Sequence, residues 1–206
     1  MSSRLHRGPG HPYYIVAPGY RETSSGICVL HYLCHALNLE GRDAFIVGDV
    51  AVNPLLKTPL LTEEIKRQHI EQNRVPIAVY PEVTVGNPLG ASVVVRYLLN
   101  REGAIAGRSM EVGDDDLQYY YAPDFASDSK PVKLLTLPII DSELFRERGQ
   151  AERSAKYLYL NRFPRDQVDF SRLPEDIEVL SVSEPKSLSE LAELFQTASV
   201  LYSYEL

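Results

Sequence analysis

YYIVAPGYRETSSGICVLHYLCHALNLEGRDAFIV, residues 13–47, decides the fold class. YYIVAPGY (13–20) is a short apolar run ended by Pro18 and Gly19, as a buried strand running into a loop is. Ser24 or Ser25 then caps a helix that Gly41 closes after roughly four turns. AFIVGDV (44–50) reads as the next buried strand. A strand, a helix and a second strand in that order imply a parallel pair, because parallel strands need a long crossover between them.

Outward from this unit, residues 51–61 are irregular and proline-rich, and LLTEEIKRQHIEQN (60–73) reads as a short polar helix with Thr62 as its N-cap. PIAVYPEV (76–83) is a third strand. ASVVVRYLLN (91–100) carries valines but is bounded by Asn87 and Pro88 before it and Gly103 after it, and is read as a helix. LQYYYAPDF (117–125) and VKLLTLPII (132–140) read as two further strands. The charged ELFRERGQAERSAK (143–156) predicts a linker or inter-domain helix. A second series follows: strands KYLYLNRF (156–163) and IEVLSV (177–182), helix SLSELAELFQTA (187–198) and strand SVLYSYEL (199–206). The expected class is α/β: a Rossmann-like parallel sheet with helices on both faces over residues 1–145, then a partial second Rossmann-like unit over 146–206.

The 206 residues suffice for a large core, and 44% are apolar. No apolar run approaches the roughly 20 residues of a membrane span, and MSSRLHRGPGHPYY lacks the apolar core of a secretory signal. The expected location is the cytoplasm, with peripheral attachment to the inner membrane face left open. A formal net charge of −7 argues against phosphate neutralisation on nucleic acid. Two cysteines six residues apart on one helix supply no disulfide framework.

Cys28, His31, Cys34 and His35 fall within eight positions and raise the question of a metal site. At about 100° per residue, Ile27, Leu30, Leu33, Cys34 and Leu37 share the core sector, whereas Cys28 and His35 point nearly opposite with His31 between them. The four cannot converge on one ion, and no second Cys or His pair completes a zinc site. The stretch offers instead a strand, a Pro/Gly turn, the small residues TSSG and a helix N-terminus, which together aim free N–H groups at an anion. Gly26 lets the chain come close to a phosphate. Asp114, Asp115 and Asp116 read either as a solvated turn or as cation ligands. Glu82 ends a predicted parallel strand, on the edge where open α/β sheets bind ligands; an exposed loop acid or a helix-capping partner is the alternative. Arg162, after KYLYLN, holds the corresponding edge of the second unit as a phosphate fork or a surface ion pair, and Glu205 likewise ends a strand.

With these residues assembled, the chain resembles a GT-B glycosyltransferase of the kind related to bacterial family 4 enzymes that build rhamnose-containing and other surface glycans. The resemblance rests on VAPGYRETSSGICVLHYLCHALNLEGRDAFIV and extends through VYPEVTVGNPLGASVVVRYLLNREG and LYLNRF to LSELAELFQTASVLYSYE. It implies a nucleotide-sugar donor, a glycan or lipid-linked acceptor, surface-polysaccharide synthesis and no metal cofactor. Gly26 matches the first loop that approaches the diphosphate, with Ser25 and Gly26 in place of the usual double glycine. Arg162 stands where a diphosphate-binding arginine is common, with Asn161 in place of a glycine; the lysine expected a few residues later is absent, and Arg165 is the nearest substitute. Ser203 and Glu205 resemble the start of the motif that binds the donor's ribose and sugar. Glu82 and Asn87 would face the acceptor. No residue stands out as the catalytic base.

About half of a donor domain is present, which predicts a shortened chain or one that completes its sheet with a partner. The Ser199–Leu206 strand would then be covered by a second copy or another chain. Two rival readings are a non-catalytic module that keeps the nucleotide or glycan cleft, and a metal-dependent GT-A-like transferase using Asp114 and Asp116.

Overall fold

The computed structural model describes residues 10–126, 132–149, 152–160 and 163–203. The chain divides into two compact units, Met1–Ile139 and Ile140–Leu206. Among its described residues the first holds six strands, β1 (Tyr13–Val16), β2 (Ala44–Val47), β3 (Leu60–Leu61), β4 (Ile77–Pro81), β5 (Val93–Leu98) and β6 (Leu117–Tyr120), and two α-helices, α1 (Ser25–Leu39) and α2 (Glu63–Glu71). Its sheet is parallel throughout, in the order β3-β2-β1-β4-β5-β6. That order is the doubly wound one, in which the chain leaves β1 toward one edge and returns at β4 to build toward the other.

Successive strand residues alternate between the two faces, and each face has its own cover. Ile15, Ile46, Val79 and Tyr97 meet Val29, Leu30, Leu33 and Cys34 of α1 in the main core. On the opposite face, His69 of α2 lies against the rings of Tyr14 and Phe45, and the Tyr14 hydroxyl shares a 2.8 Å hydrogen bond with His69 Nδ1. Helices thus cover both faces, as expected. Thr62 caps α2 as its sequence indicated, its Oγ1 accepting the N–H of Ile65 at 3.2 Å.

Residues 91–100 form β5 and not the expected helix. Val93, Val94 and Val95 are β-branched and pair with β4, Val95 with β6 as well, on a pleated surface that suits side chains a helix would crowd. The Asn87 and Gly103 that bounded the segment belong to turns at the two ends of a strand. No helix connects β4 to β5; residues 82–92 cross the face themselves, with Leu89 and Ala91 packing on Ala78, Tyr80 and Val94.

Two other expectations are corrected. Residues 132–140 are not a regular strand: one parallel bridge joins Leu134 to Tyr120, after which Leu135, Leu137 and Ile139 turn inward onto the α1-side core. Residues 143–149 are turns and bends, in keeping with the linker reading of this segment and not with the inter-domain helix. Gly149 and the mixed charges of Glu143, Arg146, Glu147 and Arg148 leave Leu144 and Phe145 as the segment's apolar residues, too few for the stripe a helix would bury.

The second unit has a three-stranded parallel sheet, β8-β7-β9, of β7 (Ala155–Leu160), β8 (Glu178–Ser181) and β9 (Ala198–Ser203), with helix α3 (Leu188–Thr197) between β8 and β9. Its core gathers Leu158, Leu160 and Val168 with Phe163, Leu173, Ile177, Val179 and Tyr202. Ser187 and Glu190 close a reciprocal capping box on α3. Among the described residues no helix is long and apolar enough to cross a membrane.

Candidate functional site

The carboxyl ends of β1 and β4 lie side by side where the strand order reverses, and this is where open α/β sheets bind ligands. The loop after β1 is built tightly. Tyr20 N–H donates to the Ala51 carbonyl at 2.8 Å, and a Cβ on Gly19 would stand 3.3 Å from the Ala51 nitrogen, so a bulkier residue would push the two loops apart. Pro18 is held from behind by His31, which is fully buried. Its Nε2–H donates to the Pro18 carbonyl at 2.9 Å, which leaves Nδ1 as a bare acceptor with no partner. The Tyr20 ring meets His31 edge-on with centroids 5.3 Å apart, and the Cys28 thiol donates to the Arg21 carbonyl at 3.4 Å.

These contacts answer the question the Cys/His cluster raised. Cys28 and His31 anchor the β1–α1 loop. Cys34 is core, and burial pushes its thiol up to about 12. His35 Nδ1 accepts the Lys57 N–H at 2.8 Å. Among the described residues no three His, Cys, Asp or Glu side chains gather as metal ligands.

The loop delivers the chain to the N-terminus of α1, where Ser24 is extended (φ −129°, ψ 102°) and its side chain makes no cap hydrogen bond. No acidic residue sits in the first turn. The leading N–H groups of α1 therefore lack the side-chain acceptors that α2 and α3 possess, and the positive end of the helix dipole faces the carboxyl edge of the sheet uncompensated. Gly26 lies in this first turn, and a Cβ there would sit 3.7 Å from Leu99, an ordinary contact. Leu99 N–H in turn donates to Glu82 Oε2 at 3.0 Å. Gly26, Leu99 and Glu82 are thus contiguous, so the structure brings together two of the residues singled out from sequence.

Glu82 is no exposed loop acid: it is 4% exposed, and burial pushes its carboxyl above the usual range, partly offset by the Leu99 N–H. The other expected site residues go elsewhere. Asn87 is spent inside its own turn, accepting from the Tyr80 hydroxyl at 2.8 Å and Ala91 N–H at 3.1 Å and donating to the Ala91 carbonyl at 2.8 Å. It locks the 87–91 turn over the sheet. Arg162 and Glu205, with Asn161, lie outside the described residues. Arg165 places its guanidinium 5.9 Å from the Phe170 ring centroid, and Ser203 closes β9.

Of the Asp triplet, Asp114 and Asp115 are exposed, while Asp116 Oδ2 accepts from Nε of the buried Arg96 at 2.7 Å. Arg96 escaped the sequence reading because its segment was taken for a helix. An arginine within a run of valines, on a strand with apolar neighbours, was the signal for a buried, paired cation.

The buried histidines set an acid limit on stability. Burial lowers the pKa of both His31 and His69, with the Arg74 charge adding to the effect at His69. The unfolded chain then binds more protons than the native one once the pH falls below about 6.5, and stability declines with falling pH. Glu82 has the opposite sign: its raised pKa makes the native state the better proton binder above the ordinary carboxyl value of 4.5, so its contribution is lost as pH rises through the folded pKa. Chemical denaturation from neutral to mildly acidic pH is expected to show falling stability in the wild type, a shallower fall in His69→Gln, and a steeper one in Glu82→Gln. An unchanged slope in His69→Gln would show that the imidazole does not resist protonation.

No protein-family model, no curated protein and no solved structure matches the chain.

Proposed function

We propose that this chain is a glycosyltransferase of the GT-B type, which moves a sugar from a nucleotide-sugar donor to a glycan or lipid-linked acceptor in surface-polysaccharide synthesis. The observation that carries the reading is the uncapped N-terminus of α1, with Gly26 in its first turn, at the β1/β4 switch point of a doubly wound sheet. A second parallel α/β unit, strand β7 first, follows in the same chain, as a two-domain transferase requires.

In the reaction an acceptor hydroxyl attacks the anomeric carbon and the nucleoside diphosphate departs. The developing negative charge is stabilised by preorganised N–H donors and cations. The first turn of α1 supplies such donors, and Gly26 presents no side chain to the diphosphate. Glu82 stands beside them on the acceptor side. By the resemblance, Arg162 adds the cation and Glu205 meets the donor's ribose or sugar. No metal enters this scheme, and the commitment of Asp116 to Arg96 weighs against the metal-dependent rival.

Calorimetric titration with UDP, GDP and dTDP, with and without magnesium, tests the proposal. The expected result is metal-independent binding of one nucleotide, weakened at least about tenfold, or about 1.4 kcal/mol, in Arg162→Ala. Gly26→Ala, whose new methyl meets Leu99 at an ordinary distance, should leave the fold intact. Absence of binding to all three overturns the reading; magnesium-dependent binding favours the Asp114 and Asp116 rival. Binding without sugar transfer would make the chain a non-catalytic nucleotide-binding module.

A further inference from the structure

α2 is held to the sheet of the first unit by little. It runs nine residues, Glu63–Glu71, and buries one of them, His69, whereas α1 runs fifteen and buries seven. Ile70, beside that histidine in the chain, is 73% exposed. A helix this short is marginal in water by itself, so α2 persists through its docking. The docking centres on His69, which is 6% exposed. Its ring stacks on Tyr14 of β1 with centroids 5.8 Å apart and lies 5.6 Å from the Phe45 ring of β2.

The imidazole is suited to this seat only when neutral. Burial keeps the Tyr14 phenol protonated, and among the described residues its hydroxyl has His69 Nδ1 as its one hydrogen-bond partner, so it donates there at 2.8 Å. A proton on Nδ1 would set two donors against each other and turn the phenol hydrogen away from its acceptor. It would also place a cation out of water near the Arg74 guanidinium. Arg74 is tied to the helix end, its backbone N–H donating to the His69 carbonyl at 2.9 Å. The acid nearby, Asp43, is already engaged by Arg74 at 2.5 Å; on α2 itself Lys66 pairs with Glu63 at 2.5 Å and Arg67 with Glu71 at 3.9 Å. Burial and the Arg74 charge both hold the His69 pKa below its ordinary value, and Asp43 offsets them in part.

We propose that α2 is an acid-released clasp: protonation of His69 undocks the helix from Tyr14 and Phe45 while α1 and the β1/β4 switch point stay folded. The sign follows from the two environments of the ring. The undocked imidazole titrates near its ordinary value of about 6.5, so below that pH the open form binds a proton that the docked form resists, and opening becomes easier as pH falls. α1 responds less, although it carries the buried His31, because six further buried residues hold it in place. The released face carries the Tyr14 and Phe45 rings, so the acid form presents an aromatic surface that the neutral form covers. The proposal stands independently of the glycosyltransferase reading.

Hydrogen exchange of the whole chain between about pH 7.5 and 5.0, corrected for the pH dependence of the chemical step, tests it. Protection of the amides of residues 67–72 is expected to fall at least about tenfold over this range, and that of the α1 amides by less. His69→Gln, whose side chain stays neutral, should flatten the α2 response. His11→Gln should keep it, since the His11 ring is bonded outside the helix, to the Val75 carbonyl at 2.7 Å. The wild-type series decides the matter without the variants. Amides of α2 that are unprotected at neutral pH, that ignore pH, or that lose protection together with those of α1 overturn the proposal. So does a response that survives in a folded His69→Gln or vanishes in His11→Gln.

Discussion

Asp116→Ala is expected to lower unfolding stability by about 3–5 kcal/mol, the largest effect of any single polar substitution in the first unit. The cost arises at Arg96, whose side chain is 1% exposed. Its Nε donates to Asp116 Oδ2 at 2.7 Å, Nη1 to the Thr84 carbonyl at 3.2 Å and Nη2 to the Gly86 carbonyl at 2.8 Å, and the guanidinium lies 5.1 Å from the Tyr80 ring centroid. Gly86 adopts φ +61°, a conformation a side chain would oppose, and so directs its carbonyl to the arginine. Removing Asp116 strands a buried cation and frees the turn in which Gly113 N–H donates to the same carboxylate at 3.1 Å. Urea denaturation measures the loss. The double variant Arg96→Met with Asp116→Leu should recover much of it, because a buried pair can be replaced by apolar groups at little net cost. A loss below about 1 kcal/mol in Asp116→Ala would show that the pair is solvated and does not hold the two loops.

Tyr97→Ala should cost about 3–5 kcal/mol, and Tyr97→Phe about 1–3 kcal/mol. The ring is fully buried in the core beneath α1, and its hydroxyl donates to the Leu135 carbonyl. Burial pushes that hydroxyl well above its usual pKa, so it remains a donor across the working pH range. Deleting the ring leaves a cavity; deleting only the oxygen leaves the Leu135 carbonyl without its donor. Hydrogen exchange separates the two variants from a general loss of stability. The Leu135 amide, which donates to Tyr120, should lose protection in Tyr97→Phe before the amides of β1 and β4 do. Equal protection in wild type and Tyr97→Phe would mean that residues 133–139 are held by their leucines alone.

The segments that sequence read correctly are those in which local chemistry and tertiary placement agree. The apolar run at Tyr13–Val16, the Pro18–Gly19 break, the α1 periodicity and the Thr62 cap all act within a few residues of one another. They were enough to indicate a parallel α/β chain with strand, helix and strand at its start. The wheel also placed Cys34 in the core. At Val93–Leu98 two local cues conflicted, β-branched valines inside helix-like boundaries, and the sheet resolved them by offering β4 and β6 as partners on both sides.

The sequence by itself determined the class of the fold, the place of the first strand-to-helix turn, and Gly26 and Glu82 as residues of one carboxyl edge. Only the tertiary structure decided what each polar side chain is for. It tied Asn87 into its own turn and Asp116 to Arg96, buried Glu82 beside Gly26 by way of Leu99, and set His31 behind the loop after β1. The physical reason is that a hydrogen bond or an ion pair depends on distance and burial. Arg96 and Asp116 are 20 residues apart in the chain and 2.7 Å apart in the fold, a separation that no local periodicity encodes.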